Sequence, residues 1–153
     1  MLSAVYCNPQ RGPEVNHNLI KLEPGLYLVA TPLGSARDIT LRALDILASA
    51  DVLAAEDTRT ARKLLDIHGV PLAGRRIIAY HDHSQAKDRQ KLLQHVVEGK
   101  SVAYVSEAGT PLIADPGYQL VADARREGLT ILSAPGPAAC IAALTVAGLP
   151  TDQ

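Results

Sequence analysis

The sequence predicts an α/β fold: a three-layer α-β-α domain on a mostly parallel five-stranded sheet. Three observations predict it. Five apolar runs of four or five residues are continuous rather than alternating, which marks strands buried on both faces. Each run is followed by a helical pattern, so right-handed crossovers place every strand-to-helix loop on one edge of the sheet. The unusual residues concentrate in those loops, whereas the return connections are ordinary Gly and polar turns. Open sheets of this kind bind ligands at their carboxyl edge, so the pattern points to a small-molecule site there.

The first run, Leu26-Tyr27-Leu28-Val29-Ala30, passes through Thr31-Pro32-Leu33-Gly34-Ser35 into a helix from about Thr40, with Leu41, Leu44, Leu47 and Ala48 on one face. The second, Val52-Leu53-Ala54-Ala55, passes through Glu56-Asp57-Thr58-Arg59 into a helix carrying Leu64, Leu65 and Ile67. That helix stops at Gly69, a residue suited to the position just past a helix end. The third, Ile77-Ile78-Ala79-Tyr80, leads through His81-Asp82-His83-Ser84 to a helix with Leu92, Leu93 and Val96 that stops at Gly99. The fourth, Val102-Ala103-Tyr104-Val105, precedes the loop 106–117 and a helix from about Tyr118 that ends at Gly128. The fifth, Leu129-Thr130-Ile131-Leu132, leads through Ala134-Pro135-Gly136-Pro137 into a small-residue helix from about Ala138 to Ala147.

The 153 residues suffice for one domain with a substantial core. Aromatic residues are 3% of the chain, with no Phe or Trp, so the core must be Leu, Ile, Val and Ala. A net charge of −1 carries no global nucleic-acid signature, yet residues 59–91 hold eight Lys/Arg against three Asp/Glu. That basic middle faces an anionic partner or is a solvated helix face; charge alone leaves both readings open. Cys7 and Cys140 have neither metal-ligand spacing nor disulfide-scaffold density, which fits a reducing cytoplasm. Residues 1–24 lack the features of a signal peptide and read as a poorly ordered leader. The apolar runs are too short to span a membrane.

The loop 106–117 is dense in special backbone chemistry. Gly109 and Gly117 permit positive φ or close approach, and Pro111 and Pro116 fix φ. Asp115 and Pro116 read as the cap and first residue of the next helix, but no capping role explains Ser106 to Pro111, which reads as a binding loop. Thr31-Pro32-Leu33-Gly34 matches neither a dinucleotide fingerprint nor a P-loop. Glu56-Asp57 is either a capped helix start or a functional acidic pair. His81-Asp82-His83 offers two metal ligands at most, so no metal is expected. His68 and His95 sit near helix C-termini, where the dipole explains them. Ala134-Pro135-Gly136-Pro137 is either a sharp turn or a stiff backbone platform for a flat ligand.

Taken together, Leu28 to Gly34 with Asp38-Ile39-Thr40, Ala54 to Arg59, His81 to Ser84, Val105 to Gly117, and Pro135-Gly136-Pro137 through to Gly148-Leu149-Pro150 resemble a known family. It is the tetrapyrrole methylase-like superfamily of S-adenosylmethionine-dependent methyltransferases. Within it, the resemblance is to the branch that methylates a 16S rRNA cytidine ribose at the 2′-oxygen. It implies a methylase domain over residues 25–134, and over 135–153 a hinge and the first helix of a second domain otherwise absent from the chain. For S-adenosylmethionine it implies contacts from Pro32, Leu33 and Gly34, from Ser106, Glu107, Ala108, Thr110, Pro111 and Ile113, and from Pro135, Gly136, Pro137 and Ala138. Glu56, Asp57 and His83 are the candidates for a base or for ribose contacts. Arg59, Arg62, Lys63, Lys87 and Arg89 are the candidates for RNA phosphates. The implied partner is the small ribosomal subunit, and the implied assembly a homodimer. A porphyrin- or corrin-methylating relative, or a non-enzymatic cofactor-binding or dimerisation domain, are the alternatives.

Overall fold

The computed structural model describes residues 16–81, 83–113 and 117–150. Among them the chain alternates β1 (Gly25–Val29), α1 (Leu41–Ser49), β2 (Val52–Ala55), α2 (Thr58–Ile67), β3 (Ile77–Ala79), α3 (Ala86–Val97), β4 (Ser101–Val105), α4 (Tyr118–Arg126), β5 (Ile131–Ala134) and α5 (Ala139–Val146). The strands form one sheet in the order β3-β2-β4-β1-β5, and every described pair is parallel. The expected α/β class and layer scheme therefore stand.

Alternate side chains along each strand supply two cores. Tyr27, Val29, Leu53, Ala55, Ala103 and Val105 face α1 and α2, where Leu44, Ile46, Leu47 and Leu65 close over them. Leu26, Leu28, Ala54, Val102 and Tyr104 face α3 and α4, meeting Leu92, Leu93, Leu120 and Ala124. Each fully buried Leu contributes about 1.5–3 kcal/mol by leaving water, and short Ala residues let helices lie close to the sheet. β4 is buried along its whole length at the centre, as a continuous apolar run requires.

Local chemistry sets the helix ends. The Thr40 hydroxyl accepts the Ala43 amide at 3.1 Å to start α1. Asp57 caps α2, its Oδ1 accepting the amides of Arg59 at 2.7 Å and Thr60 at 3.1 Å. In α3 the Asp88 carboxylate reaches back to the Gln85 amide at 3.1 Å. The described start of α4 is Gly117, with φ −67°, so its freedom is not used there; Asp115 and Pro116, expected to cap that helix, lie outside the described residues.

One expectation changes. The fifth strand begins at Ile131 rather than Leu129. Leu129 donates its amide to Ala124 O at 2.9 Å, completing the C-terminal wrap of α4, and is therefore spent on the helix end. Residues 16–24 lack regular structure but are tied to α1, with the Asn18 amide 2.6 Å from Asp45 Oδ1 and the Ile20 amide 2.9 Å from Ser49 Oγ. Residues 1–15, and Cys7 among them, lie outside the described residues.

Candidate functional site

β1 and β4 are neighbours in the sheet, yet the helices that follow them, α1 and α4, pack on opposite faces. Their loops therefore diverge and open a crevice at the carboxyl edge, the position where open α/β sheets take ligands. The two loops are fastened at its base. Thr31 N donates to Gly109 O at 2.8 Å and Gly109 N returns a bond to Thr31 O at 3.1 Å, a single antiparallel bridge in a parallel sheet. The buried Ser106 hydroxyl also donates to Gly109 O, at 3.1 Å.

Gly109 is the pivot. Its φ is +81°, which strongly favours glycine. A Cβ there would lie 2.9 Å from Leu33 Cδ2 and 3.6 Å from Pro137 O. Thr110 Oγ1 donates to Pro137 O at 2.8 Å, and a Cβ on Gly136 would lie 2.9 Å from that of Ala30. Three loops, 31–34, 106–113 and 135–138, thus meet through backbone and small side chains. Leu112 beside the pivot has φ +73°, costly for a residue with a Cβ. Such strain persists only where the surroundings fix the loop.

A cleft of about 580 Å³ opens beside this junction. Pro32, Gly34, Ser106, Glu107, Ala108 and Ile113 of the expected cofactor set line it, with Thr60, Lys63, Leu64 and Ile67 of α2 forming a wall. Leu33, Thr110, Pro135, Gly136, Pro137 and Ala138 are not among its lining residues. Leu33, Thr110, Gly136 and Pro137 take part in the junction beside it, and Pro111 is buried in the 106–113 loop.

The candidate bases separate by position. Glu56 lines the cleft, and its Oε2 accepts the Glu107 amide at 2.9 Å, so this carboxylate also holds the 106–113 loop to the end of β2. Asp57 is occupied as the α2 cap. The amides of Thr60 and Arg59 hold its pKa below the ordinary aspartate value, which weakens it as a proton acceptor. His83 follows β3, the sheet-edge strand two positions from β4, roughly 10 Å away by strand spacing. There its amide bonds His81 Nδ1 at 3.2 Å within a turn closed by Ser84, outside the cleft. Asp82 lies outside the described residues, and among the described residues no three His, Cys, Asp or Glu converge as a metal site.

The basic residues also sort themselves. Arg59, Arg62 and Lys63 are exposed on α2, and Lys87 on α3. Arg89 departs from expectation: its guanidinium pairs with the buried Asp123 of α4, which Arg126 also contacts at 2.9 Å. That pair ties α3 to α4 and raises the Arg89 pKa, first through the Asp123 bond. Arg75 is likewise consumed, donating to four backbone carbonyls. His68, beyond dipole compensation, places Nε2 2.7 Å from Ala36 O and braces the loop after β1. Sequence pattern had no signal for that brace, because its partner is 32 residues away.

α5 differs from the other helices. None of its residues is buried, and Ile141, Val146 and the following Leu149 are 59%, 85% and 63% exposed. No helix among the described residues is long and apolar enough to cross a membrane.

Comparison with known proteins agrees with this geometry. A family model described as Tetrapyrrole (Corrin/Porphyrin) Methylases matches residues 25–153. Ribosomal RNA small subunit methyltransferase I of Mesorhizobium japonicum is 53% identical over 131 residues, 86% of this chain and 44% of the relative. The protein of that name from Vibrio cholerae is 48% identical over 130 residues, 85% of this chain and 44% of the relative. The chain thus spans less than half the length of these curated relatives. Among solved structures, a uroporphyrin-III-C-methyltransferase from Thermus thermophilus superposes with a TM-score of 0.61 and 26% identity, covering 85% of this chain and 54% of that one. A diphthine synthase superposes with a TM-score of 0.64 over 82% of this chain and 49% of that one; at 18% identity it speaks for the fold alone.

Proposed function

From the premise that the chain belongs to the tetrapyrrole (corrin/porphyrin) methylase family, we propose that it supplies one wall of the S-adenosylmethionine site of an rRNA methyltransferase. The acceptor is the 2′-oxygen of a cytidine ribose in 16S rRNA, within the small ribosomal subunit in the cytoplasm. The observation that carries the reading is the crevice between the β1 and β4 loops, fastened by the Thr31–Gly109 bridge. The names of the relatives at 53% and 48% identity favour rRNA over a tetrapyrrole as acceptor.

The residues present fit the cofactor. The cleft volume of about 580 Å³ is that of a small-molecule site. The exposed Gly34 and Ala108 leave main-chain groups accessible to polar ends, Pro32 and Ile113 offer apolar surface, and Glu56 and Glu107 add negative charge for a cation. When bound, S-adenosylmethionine supplies a methyl group already activated by its sulfonium. The chain's task is then to fix the acceptor in line and keep water out, and the fastened loops provide a rigid floor for both.

A ribose hydroxyl is a weak nucleophile, so a base beside it speeds attack. Of the candidates, Glu56 stands in the cleft wall and takes that role in the proposal; Asp57 supports it by fixing the N-terminus of α2. His83, in the turn after β3 and outside the cleft lining, is assigned to contact with a flanking nucleotide. Residues 135–138 act as the hinge on the far side of Gly109, and α5 with its exposed apolar residues begins a following domain. The assembly proposed is a homodimer.

The test uses protein encoded by the whole gene, small subunits from a strain lacking this methylation, and methyl-labelled S-adenosylmethionine. Label on a cytidine ribose of 16S rRNA is the expected result. Label on an added porphyrinoid instead, with none on rRNA, would overturn the choice of acceptor.

A further inference from the structure

α2 presents three faces about 120° apart, as a period of 3.6 residues requires. Ala61 and Leu65 are buried in the core. Thr60, Lys63, Leu64 and Ile67 form the wall of the cleft. The remaining face borders a second groove, of about 570 Å³, whose far bank is the connection into β3. Arg59, Arg62, Lys63 and Arg76 line that groove against a single carboxylate, Asp66. Lys63 borders both spaces.

Resting on the methyltransferase reading, we propose that this groove is a phosphate track for single-stranded RNA, and that it delivers the acceptor nucleotide across Lys63 into the cleft. Three features support it. The four cations come from two separate segments, α2 and the β3 approach, so their convergence is a property of the fold. Arg75 and Arg89, from the same basic span of sequence, are held by internal partners, whereas Arg76 is exposed beside the groove. The Arg59–Asp57 pair, 3.4 Å apart with Arg59 91% exposed, is a weak surface contact that leaves the guanidinium available. Three guanidinium forks suit bidentate contact with phosphate oxygens. Lys63 lines both the groove and the cleft, so a flexible single strand that crosses this lysine passes from one to the other. Arg76 is therefore a substrate-positioning residue remote from the reacting atoms.

The test measures binding of a fluorescently labelled single-stranded RNA oligonucleotide by anisotropy across a salt series, with calorimetry of S-adenosylmethionine on the same proteins. Arg76→Gln and Arg62→Gln should each weaken RNA binding about tenfold, the scale of one charged hydrogen bond. Each should also lower the slope of log affinity against log salt by roughly 0.7. Lys91→Gln, an exposed cation of α3 on the opposite layer, should change neither. S-Adenosylmethionine binding should be unaltered in all three. If the wild-type protein encoded by the whole gene binds S-adenosylmethionine while its RNA affinity is absent or indifferent to Arg76 and Arg62, the track is wrong and the methyltransferase reading stands. If that protein binds neither, both fall. Displacement of the RNA by polyglutamate at equal charge would overturn the assignment to RNA in favour of an acidic protein.

Discussion

The two edges of the sheet are closed by different means. At the amino edge side chains do the closing. Arg75 donates to Leu47 O at 2.9 Å and Ala50 O at 2.6 Å, carbonyls at and just past the end of α1, and to Leu72 O at 2.9 Å and Pro71 O at 2.8 Å in the connection between α2 and β3. Asp51 Oδ2 accepts both the amide and the hydroxyl of Ser101, at 2.8 and 2.7 Å, and pins the start of β2 to that of β4. At the carboxyl edge the β1 and β4 loops and the 135–138 loop are joined by the paired amides of Thr31 and Gly109 and by short hydroxyl side chains, Ser106 on Gly109 O and Thr110 on Pro137 O. Closure by long charged side chains fills the space it spans. Closure by main chain and small side chains leaves a floor with room above it, and the cleft lies there. The same sheet is thereby stabilised at one edge and receptive at the other.

The comparison can be broken most forcefully at Arg75. Arg75→Met leaves several carbonyls without a donor and should destabilise the protein by about 3 kcal/mol in denaturant unfolding, while S-adenosylmethionine affinity per folded molecule stays unchanged. A matching loss of affinity would show that the edges are not independent. Next comes Gly136→Ala. Its Cβ would press on that of Ala30 at 2.9 Å, and neither atom can rotate away. A cost of about 2 kcal/mol is expected, here with a drop in cofactor affinity measurable by calorimetry. Thr110→Val removes the bond to Pro137 O and should cost about 1 kcal/mol in stability, loosening the 135–138 loop without altering the core.

The smallest effect sharpens the contrast at the amino edge. The bonds from Ser101 hold the Asp51 pKa below its ordinary value. A depressed carboxylate contributes stability above its unfolded pKa and loses it as pH falls through the folded value. Asp51→Asn should therefore lower the melting temperature modestly at neutral pH and flatten its fall from about pH 4 downward, so that variant and wild type converge in acid. An unaltered acid limb would mean that Asp51 contributes nothing to it.

Much of the candidate cleft is legible in the sequence. Six of the expected cofactor residues line the cleft, because proline, glycine and small residues after an apolar run are local signals of a shaped loop. The cap role of Asp57 was legible for the same reason. The charge count was a poorer guide: it gave Arg75 and Arg89 the same weight as Arg62. Their partners are Ala50 and Asp123, 25 and 34 residues away, and no window of sequence contains both ends of such a bond. Arg76 was overlooked for that reason too, since its value lies in facing α2.

The sequence by itself determined the alternation of strand and helix, the two-sided burial of the sheet, and the edge on which the cleft lies. Those follow from periodicity, caps and chain handedness, which act over a few residues. Only the tertiary structure decided which cations are free and that Glu56 fastens the loop at Glu107. It alone brought Thr31 and Gly109 together across 78 residues. These depend on strand order and register, and the order β3-β2-β4-β1-β5 arises when the whole core is buried at once.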